Sequence, residues 1–436
     1  MTARWRAAAL LLWAAPALAD GPRPTKTLEE CIAIALERQP TLGSSEAATD
    51  AGRARVRQNV SGYLPQVDGF WSTTRTKHAT GSGGAPTVGG FAVASTSSKP
   101  FTFNNTGFSL SQVLFDFGKN LDQIRASQAR VRSLEADEQT QRQTVVLNVR
   151  QSYFNLLADQ RLLEVAEQTV RDSQSQLDQA QGRYRVGFAP RLDVTRSQVQ
   201  LANSQLDRLT AANNVAVAEE TLANAIGSEG PLDFDVVDVL DARVSVPSER
   251  DALAQAFDQR PDLRSLQEQR AAREKDVASL QKQYLPSVNG SANYNWSGQD
   301  FPLQEGWTFG ATVNLSFSNG GLTTAQIAEA KADVRGLRFD EEKLRQDIAL
   351  QVRQAVLDLR VSVERIDVSE RAAQQARENL DLAQGRYREG VGNVIELNDA
   401  ETTRASAEAD RVRALYTVQT SLATLENATG KPIPKP

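Results

Sequence analysis

The sequence contains one cysteine and one histidine in 436 residues. The single cysteine, Cys31, cannot form a disulfide within the chain, and the cysteine and histidine clusters that bind structural metals are excluded. The histidine, His78, lies in the small-residue segment TKHATGSGG, where a solvated loop position is expected. The sequence also lacks a nucleophile–base set and a phosphate-binding glycine loop. It therefore predicts a protein that is not an enzyme and has no cofactor or metal site.

The chain also lacks a large excess of charge and a long apolar run. Its 49 basic and 54 acidic residues give a net charge of −5, which indicates no nucleic-acid partner. The apolar stretch Ala7–Ala14 is far shorter than the ~20 residues of a membrane-spanning helix. Arg4 and Arg6 precede it, and Ala17-Leu18-Ala19 follows as a small-x-small cleavage site. Residues 1–19 are therefore predicted to be a signal peptide rather than an N-terminal membrane anchor.

The most informative feature that is present is an internal duplication. The octamer AQGRYRVG at Ala180–Gly187 returns as AQGRYREG at Ala383–Gly390, 203 residues later. The segments YLPQV and YLPSV, which precede the octamers, match at a separation of 221 residues. Because the separation falls to 203 residues at the octamers, the first copy must contain an extra loop between the two motifs. The duplication predicts a first repeat over 20–230, a linker over 231–250, a second repeat over 251–430 and a tail over 431–436.

A period of two in the apolar residues predicts two strands in each repeat. They are expected near 65–75 and 105–116 in the first repeat, and near 286–297 and 305–318 in the second. In the fourth strand one face is apolar: Trp307, Phe309, Ala311, Val313, Leu315 and Phe317. The other face carries Ser, Thr and Asn, a combination typical of lipid-facing strands in a membrane β-barrel. The alternative is a soluble antiparallel sheet with one wet face, which usually carries charged residues.

Each repeat ends in a long stretch without internal breaks that predicts a helical hairpin. The hairpins are expected over 118–226, with a tip at 187–191, and over 321–429, with a tip at 390–393. At ~1.5 Å per residue, the first helix of each hairpin would be about 100 Å long. Apolar residues recur at spacings of three and four in one register in both copies, which indicates coiled-coil packing. This seam in the first copy runs through Val145, Val149, Tyr153, Leu156, Leu163, Ala166, Val170, Leu177, Ala180 and Tyr184.

Both predicted layers are incomplete within one chain. Neither hairpin can easily bury its apolar stripe alone, and four strands cannot close a barrel around a useful space. Self-association removes both deficits, because several copies can contribute strands to one barrel and hairpins to one tube. The sequence therefore predicts an oligomer that reaches away from a membrane.

Several motifs occur in duplicated order: the YLP units, L-F-D-F-G at Leu114–Gly118, and tips followed by LDVTRSQ (Leu192–Gln198) or IELNDAE (Ile395–Glu401). Together they resemble the TolC family of outer-membrane factors over nearly the whole chain after the signal peptide. The resemblance implies a mostly α-helical homotrimer. It has a twelve-stranded membrane β-barrel, with four strands from each protomer, continued by a long α-helical coiled-coil tunnel.

The resemblance also implies a function and partners. The protein would be a passive exit duct of a tripartite efflux pump or a type I secretion system. It would lie in the outer membrane of a Gram-negative bacterium, in contact with outer-membrane lipid, with its helical tunnel in the periplasm. A periplasmic adaptor would join it to an inner-membrane transporter, which supplies the energy and selects the cargo.

Residues at the hairpin tips receive roles from the same resemblance. The positions that match the family's periplasmic aperture are Asp193, Tyr387, Glu396 and Asp399. The positions that match its adaptor-contact region are Val186, Gly187, Phe188, Gly390 and Val391. The chain departs from the family pattern at Gly392, where an arginine usually helps to lock the aperture, at Glu389 and at Phe317–Gly321.

The acidic residues have a second interpretation. Asn393 and Glu396 have the spacing of a helix capping box, and Asp193 stands where a carboxylate interacts favourably with the helix dipole. Asp399 lies beyond the first turn, where a solvated helix face would also accommodate it. In a trimer, Glu396 and Asp399 would form a ring of carboxylates, and neutralising both is expected to lower cation selectivity.

The competing function is a periplasmic coiled-coil adaptor, or a structural protein without a pore. Such adaptors have one helical hairpin flanked by small soluble β domains. The duplicated hairpin and the lipid-compatible strands favour the duct over this alternative.

Overall fold

The computed structural model describes residues 24–77, 87–88, 91–92, 100–238 and 244–432. The predicted signal peptide, His78 and most of the extra loop of the first repeat lie outside these residues. The helices are α1 (Leu28–Arg38), α2 (Pro40–Ser61), α3 (Lys119–Arg185), α4 (Arg191–Ala225), α5 (Glu249–Gln259), α6 (Pro261–Gln281), α7 (Leu322–Arg388) and α8 (Val394–Ala428). Within the described residues, no helix combines the length and the apolar character needed to cross a membrane.

The helices repeat in pairs of matching length. Helices α3 and α7 each contain 67 residues, and helices α4 and α8 each contain 35. Helices α2 and α6 both begin with proline, which suits the first helical position because its missing N–H has no partner there. The duplication seen in the sequence is therefore present in the order and length of the elements.

The strands are β1 (Thr25–Lys26), β2 (Gln66–Thr76), β3 (Thr87–Val88), β4 (Phe91–Ala92), β5 (Phe101–Phe115), β6 (Asp235–Val236), β7 (Ser287–Gly298) and β8 (Gln304–Asn314). The main sheet has the order β2-β5-β7-β8, with every neighbouring pair antiparallel. Strand β1 pairs with β6 in parallel, and β3 pairs with β4. Both strands of each repeat thus enter one sheet.

Two strand boundaries differ from the ranges expected from the alternating pattern. Strand β8 ends at Asn314, whereas the pattern continued to 318. Asn314 pairs with Ser287, and the next position on the partner strand is Pro286, which has no N–H to offer the ladder. Strand β5 begins at Phe101 rather than near 105, because Phe101 still pairs with Thr76 at the end of β2.

The main sheet has one continuous apolar face. Directly opposed residues of an antiparallel sheet lie on the same face, and two successive rows cross all four strands. The rows are Val67, Leu110, Ala292 and Phe309, and Gly69, Phe108, Tyr294 and Trp307. On this face Trp307 is 69% exposed and Phe309 is 74% exposed. On the opposite face, Asn295 donates a buried hydrogen bond to Asn105 at 3.1 Å.

The chain divides into two compact units, and each combines both sequence repeats. The sheet unit comprises Gln39–Leu147, Ser245–Ser362 and Ser421–Pro436, and it contains the main sheet. The hairpin unit comprises Met1–Arg38, Asn148–Val244 and Val363–Thr420, and it contains the tips of both hairpins. Each compact unit therefore combines segments of both predicted repeats, 20–230 and 251–430, rather than coinciding with one of them.

In the sheet unit, the L-F-D-F-G motif forms the turn from β5 into α3. Asp116 is buried and accepts the N–H groups of Gly118 at 2.9 Å and Asn120 at 2.8 Å. Its carboxylate also accepts the Tyr63 hydroxyl at 3.0 Å. Phe117 and Gly118 have φ angles of 55° and 78°, so the backbone reverses through the left-handed region. The motif is thus a helix cap combined with a sharp reversal.

Replacing Asp116 with alanine is expected to lower the free energy of unfolding by about 2 kcal/mol, because two backbone caps and the Tyr63 partner are lost together. The measurement is thermal denaturation of the purified protein, followed by helical circular dichroism. Asp116→Asn is the control, because the second repeat carries Asn319 at the equivalent place, where it caps Thr323 at 3.4 Å. Equal melting temperatures for the alanine and asparagine variants would contradict this role.

In the hairpin unit, most of the predicted coiled-coil seam is buried. Val149 and Tyr153 are fully buried in the first copy, as is Val352 in the second, although that residue belongs to the sheet unit. The Tyr153 hydroxyl donates to the Val237 carbonyl at 2.5 Å. Tyr184 differs from the expected pattern, since it is 47% exposed. Its counterpart Tyr387 packs in a cluster with Val394 and Ala400, and the first copy has the polar residues Arg191 and Ser197 at these two positions.

Hydrogen bonds arrange the helices of the hairpin unit in a series. Ser204 of α4 contacts Ser173 of α3 at 2.9 Å, and Arg404 of α8 pairs with Asp172 of α3 at 2.8 Å. Arg377 of α7 then pairs with a glutamate of α8. The series is therefore α4–α3–α8–α7, with α4 and α7 at its two ends.

The two end helices keep rows of large apolar residues exposed. On α4, these residues are Leu192, Val199, Leu206, Leu209 and Val217, each more than half exposed. On α7, they are Leu350, Leu357, Val361, Val368 and Leu382. Steps of seven residues recur in both rows, which is the spacing of a coiled-coil seam. Each row is thus a helix-packing surface without a partner in the described part of the chain.

Candidate functional site: the tips of the helical hairpins

The repeated octamer forms the end of the first helix in each hairpin. In the first copy, the Gly187 N–H bonds the Tyr184 carbonyl at 3.0 Å, and the Phe188 N–H bonds the Arg183 carbonyl at 2.9 Å. Gly187 has a φ angle of 80°, which a residue with a side chain adopts at a cost. This hydrogen-bond pattern is the Schellman motif that ends many helices.

The second tip repeats the same geometry. The Gly390 N–H bonds the Tyr387 carbonyl at 3.1 Å, and the Val391 N–H bonds the Arg386 carbonyl at 3.0 Å. The φ angle of Gly390 is 77°. The Gly-Arg-Tyr-Arg-x-Gly phrase is therefore a helix terminator written twice, and its last glycine is required by the backbone.

The residues that match the adaptor-contact region present an exposed apolar surface. Phe188 is 82% exposed, Val391 is 71% exposed and Val186 is 66% exposed. They project from tight turns that Gly187 and Gly390 make possible. Large apolar side chains at such exposure are available to a binding partner.

Tyr387 lies inside the second hairpin rather than on its surface. It is 4% exposed and packs in a cluster with Leu380, Ala383, Val394, Leu397 and Ala400. Its hydroxyl is buried and has no hydrogen-bond partner in the described part of the chain. The guanidinium of Arg183, on α3, lies 4.8 Å from the centre of its ring.

The candidate aperture acids have different surroundings. The Glu396 N–H is capped by the Asn393 side chain at 2.8 Å, and the Glu396 carboxylate pairs with Arg386 at 3.2 Å. Asp193 is half-buried in the first turn of α4, and its own N–H donates to the Pro190 carbonyl. Asp399 is exposed, and no hydrogen bond or ion pair involves it within the described residues. Of these three acids, only Glu396 has an ion-pair partner within the described residues.

A buried carboxylate that sequence reasoning missed, Glu401, lies two residues after Asp399. Glu401 is 2% exposed, in the interface of α8 with α3. Oriented with its nitrogen toward the carboxylate, the buried amide of Gln176 donates to Glu401 at 2.9 Å. Asp172 and Arg404 form an ion pair beside it. Burial, and next the charge of Asp172, raise the pKa of Glu401 to about 7, against the opposing effect of Arg404.

The sequence signal for this group was present but incomplete. Glu401 ends the IELNDAE segment, yet its partners Asp172 and Gln176 are more than 220 residues away in the chain. The first repeat offers no guide, because Gln198 stands at the equivalent place. Among the described residues, no group of three or more His, Cys, Asp or Glu side chains could hold a metal ion.

Comparison with known proteins places this architecture in a family. The family model described as "Outer membrane efflux protein" matches residues 31–228 and 252–431. The chain is 25% identical to the outer membrane protein TolC of Escherichia coli, over 90% of this chain and 79% of the relative. It is 23% identical to TolC of Vibrio cholerae, over 93% of this chain and 91% of the relative.

Similarity to solved structures extends over the same range. The chain superposes on CusC, whose structure concerns folding and transmembrane channel formation, with a TM-score of 0.82 and 19% identity. This match covers 94% of this chain and 93% of CusC. Because the two family-model matches follow the two sequence repeats and cover most of the chain, the resemblance to TolC is confirmed: the protein belongs to the outer membrane efflux protein family.

Proposed function

We propose that the protein is a passive outer-membrane exit duct built by three copies of the chain. The observation that carries this proposal is that both the main sheet and the long helices have surfaces without partners in the described part of the chain. Among the described strands, the main sheet has two open edges, and helices α4 and α7 carry exposed apolar rows. Membership of a family of outer membrane efflux proteins supports the same function.

The open edges of the main sheet support closure into a barrel. Among the described strands, β2 and β8 each have a neighbour on one side, so the other side presents unpaired N–H and C=O groups. The four strands alternate in direction, so β8 of one copy and β2 of the next would also be antiparallel. Two copies would supply eight strands, and side chains fill the interior of an eight-stranded barrel. Three copies would supply twelve strands and leave a passage.

The two faces of the main sheet support insertion of that barrel into lipid. The exposed face carries aromatic residues, including Trp307 and Phe309, in rows that cross all four strands. The opposite face carries amides and hydroxyls, including the Asn105–Asn295 pair. An apolar outside and a polar inside suit a barrel that spans the hydrocarbon layer and holds water.

The tips support a junction with other proteins. The exposed Phe188, Val186 and Val391 would contact a periplasmic adaptor, which joins the duct to an inner-membrane transporter. The duct itself would contribute no chemistry, and transport would be driven by that transporter. Relatives described as efflux pump outer membrane proteins, such as TtgC of Pseudomonas putida, support an efflux assembly.

The aperture acids of this proposal are Asp193, Glu396 and Asp399, with Tyr387 behind them. Because Arg386 neutralises Glu396 and Asp193 is half-buried, we expect the exposed Asp399 to contribute most to the charge of the narrow opening. Asp399→Asn is expected to reduce the ratio of cation to anion permeability by about threefold, as for a loss of about half a kT of potential per unit charge, which acts on cations and anions in opposite directions. The measurement is reversal potential across a planar bilayer with a salt gradient.

The matched control removes an ion pair without changing net charge. Arg386→Gln combined with Glu396→Gln is expected to keep the wild-type permeability ratio. If this double variant lost selectivity and Asp399→Asn kept it, the assignment of the charge to Asp399 would be wrong. If the well-folded wild-type protein never inserted into the bilayer, the alternative of a soluble coiled-coil partner without a pore would replace the duct.

A further inference from the structure

Arg183 and Arg386 occupy equivalent places in the two repeats, 203 residues apart, yet their side chains have different partners. Arg386 pairs with Glu396, which lies on the return helix of its own hairpin. The equivalent acid in the first repeat is Asp193, and Arg183 does not pair with it. Instead, Arg183 reaches from α3 to the end of α7, in the other hairpin.

The Arg183 guanidinium makes three contacts there. One nitrogen, Nη1, donates to the Tyr387 carbonyl, and Nη2 donates to the Arg388 carbonyl at 3.2 Å. The guanidinium also lies 4.8 Å from the centre of the Tyr387 ring. We call this set of contacts, from Arg183 to Tyr387 and Arg388, the Arg183 bridge.

The end of α7 is a favourable place for such a cation. The last carbonyls of a helix lack partners within the helix, and the helix dipole places negative potential at this end. Tyr387 is anchored in the buried cluster of the second hairpin, so the bridge connects α3 to a fixed point. A planar guanidinium can satisfy two carbonyls and stack on a ring at the same time, which an ammonium cannot.

The second tip has little room for a connecting side chain at the position after Val391. A Cβ atom on Gly392 would lie 3.0 Å from the Arg386 Cβ and 3.1 Å from the Tyr387 nitrogen. A larger residue at 392 would therefore force the turn to shift. At the tips, the contact between the two hairpins comes instead from Arg183.

We propose that Arg183 is the positioning residue that holds the end of the first hairpin against the second and so sets the resting width of the tip opening. The part of this statement that concerns the opening rests on the proposed duct. The part that concerns the two hairpins does not, because it depends on contacts within one protomer.

The test compares Arg183→Ala with Arg185→Ala, which removes the same charge from the same helix two residues later. Arg185 bonds the Gln181 carbonyl of its own helix and leaves the second hairpin untouched. Hydrogen exchange is measured by mass spectrometry on the purified full-length proteins in detergent. Arg183→Ala is expected to accelerate exchange of residues 386–392 by roughly tenfold, since these amides are protected by the turn that the bridge holds.

Single-channel conductance of the same proteins gives the second readout. Arg183→Ala is expected to raise the conductance at least twofold, Arg185→Ala to leave it unchanged, and Arg183→Lys to give an intermediate value with one carbonyl contact restored. Equal exchange and equal conductance for the alanine variants would overturn the proposal. If Arg183→Ala accelerated exchange but left the conductance unchanged, the claim that Arg183 sets the width of the opening would be wrong. The claim that the Arg183 bridge holds the two hairpins together would stand. Absence of conductance in every protein would reject the duct, and exchange alone would then decide the bridge.

Discussion

A protein carrying both Val199→Glu and Leu206→Glu is expected to remain helical and to elute from a sizing column as a monomer. Both residues lie in the exposed row of α4, where Val199 is 56% exposed and Leu206 is 62% exposed. In the proposed trimer this row is covered by the neighbouring copy. An unpaired carboxylate buried in such an interface costs about 3 kcal/mol, so two of them weaken association by about four orders of magnitude.

The control places the same charges on the same helix but beside the row. Gln198→Glu combined with Gln205→Glu introduces two carboxylates, seven residues apart, at exposed positions one residue earlier. A step of one residue rotates the side chain by about 100° around a helix, away from the seam. This variant is expected to keep the mass of a trimer in light scattering. If both double variants stayed trimeric, the α4 row would not be an interface between copies.

Much of this architecture could be predicted because its signals are local. A strand with a wet face and a dry face must alternate, so Trp307 and Phe309 were assigned to one face from the sequence alone. A helix that ends in a left-handed turn favours glycine there, so Gly187 and Gly390 marked both tips. The shared register of the two repeats then carried the same assignments from one copy to the other.

The remainder depends on residues that are distant in the chain. Strand β8 ends where its partner strand has Pro286, which the alternation in β8 itself could not reveal. Tyr184 and Tyr387 have the same local sequence, and their opposite exposure follows from what the return helices place over them. Arg183 differs from Arg386 for a similar reason. Its guanidinium contacts the end of α7, which is distant in the chain, whereas Arg386 pairs with Glu396 on the return helix of its own hairpin.

Glu401 is the clearest case of such a distant environment, and it is also the main source of pH dependence that we expect. Its neighbours across the interface are Gln176 and the negatively charged Asp172, both on α3, and Arg404 lies one turn away on α8. When Glu401 is protonated, its hydroxyl can donate to the Gln176 oxygen, with the Gln176 nitrogen 2.8 Å from the Asn398 oxygen. When it is ionised, the amide must turn so that its nitrogen faces the carboxylate. The two protonation states therefore favour opposite orientations of the Gln176 amide in the α3–α8 interface.

The sign of the effect follows from the raised pKa. Glu401 has a pKa of about 7 in the folded protein and 4.5 when unperturbed, so between these values the folded state binds more protons than the unfolded state. The contribution of Glu401 to stability is therefore most favourable at or below about pH 4.5 and is lost as the pH rises through about 7. The loss is on the order of 3 kcal/mol. Glu401→Gln is expected to remove this dependence and to raise the melting temperature at about pH 8.

Glu408, two turns further along α8, provides a matched variant with the opposite sign. It is buried like Glu401, and burial alone would raise its pKa, but hydrogen bonds from Arg377 and Arg411 outweigh burial and lower it. Its contribution is therefore present above its unfolded pKa and is lost as the pH falls through its folded pKa. Glu408→Gln is expected to lower the melting temperature at neutral pH and to make the protein less sensitive to acid. If the two glutamine variants had parallel pH profiles of melting temperature, the charged partners would not distinguish the two carboxylates. The assignment of Glu401 as the group that titrates near neutral pH would then be wrong.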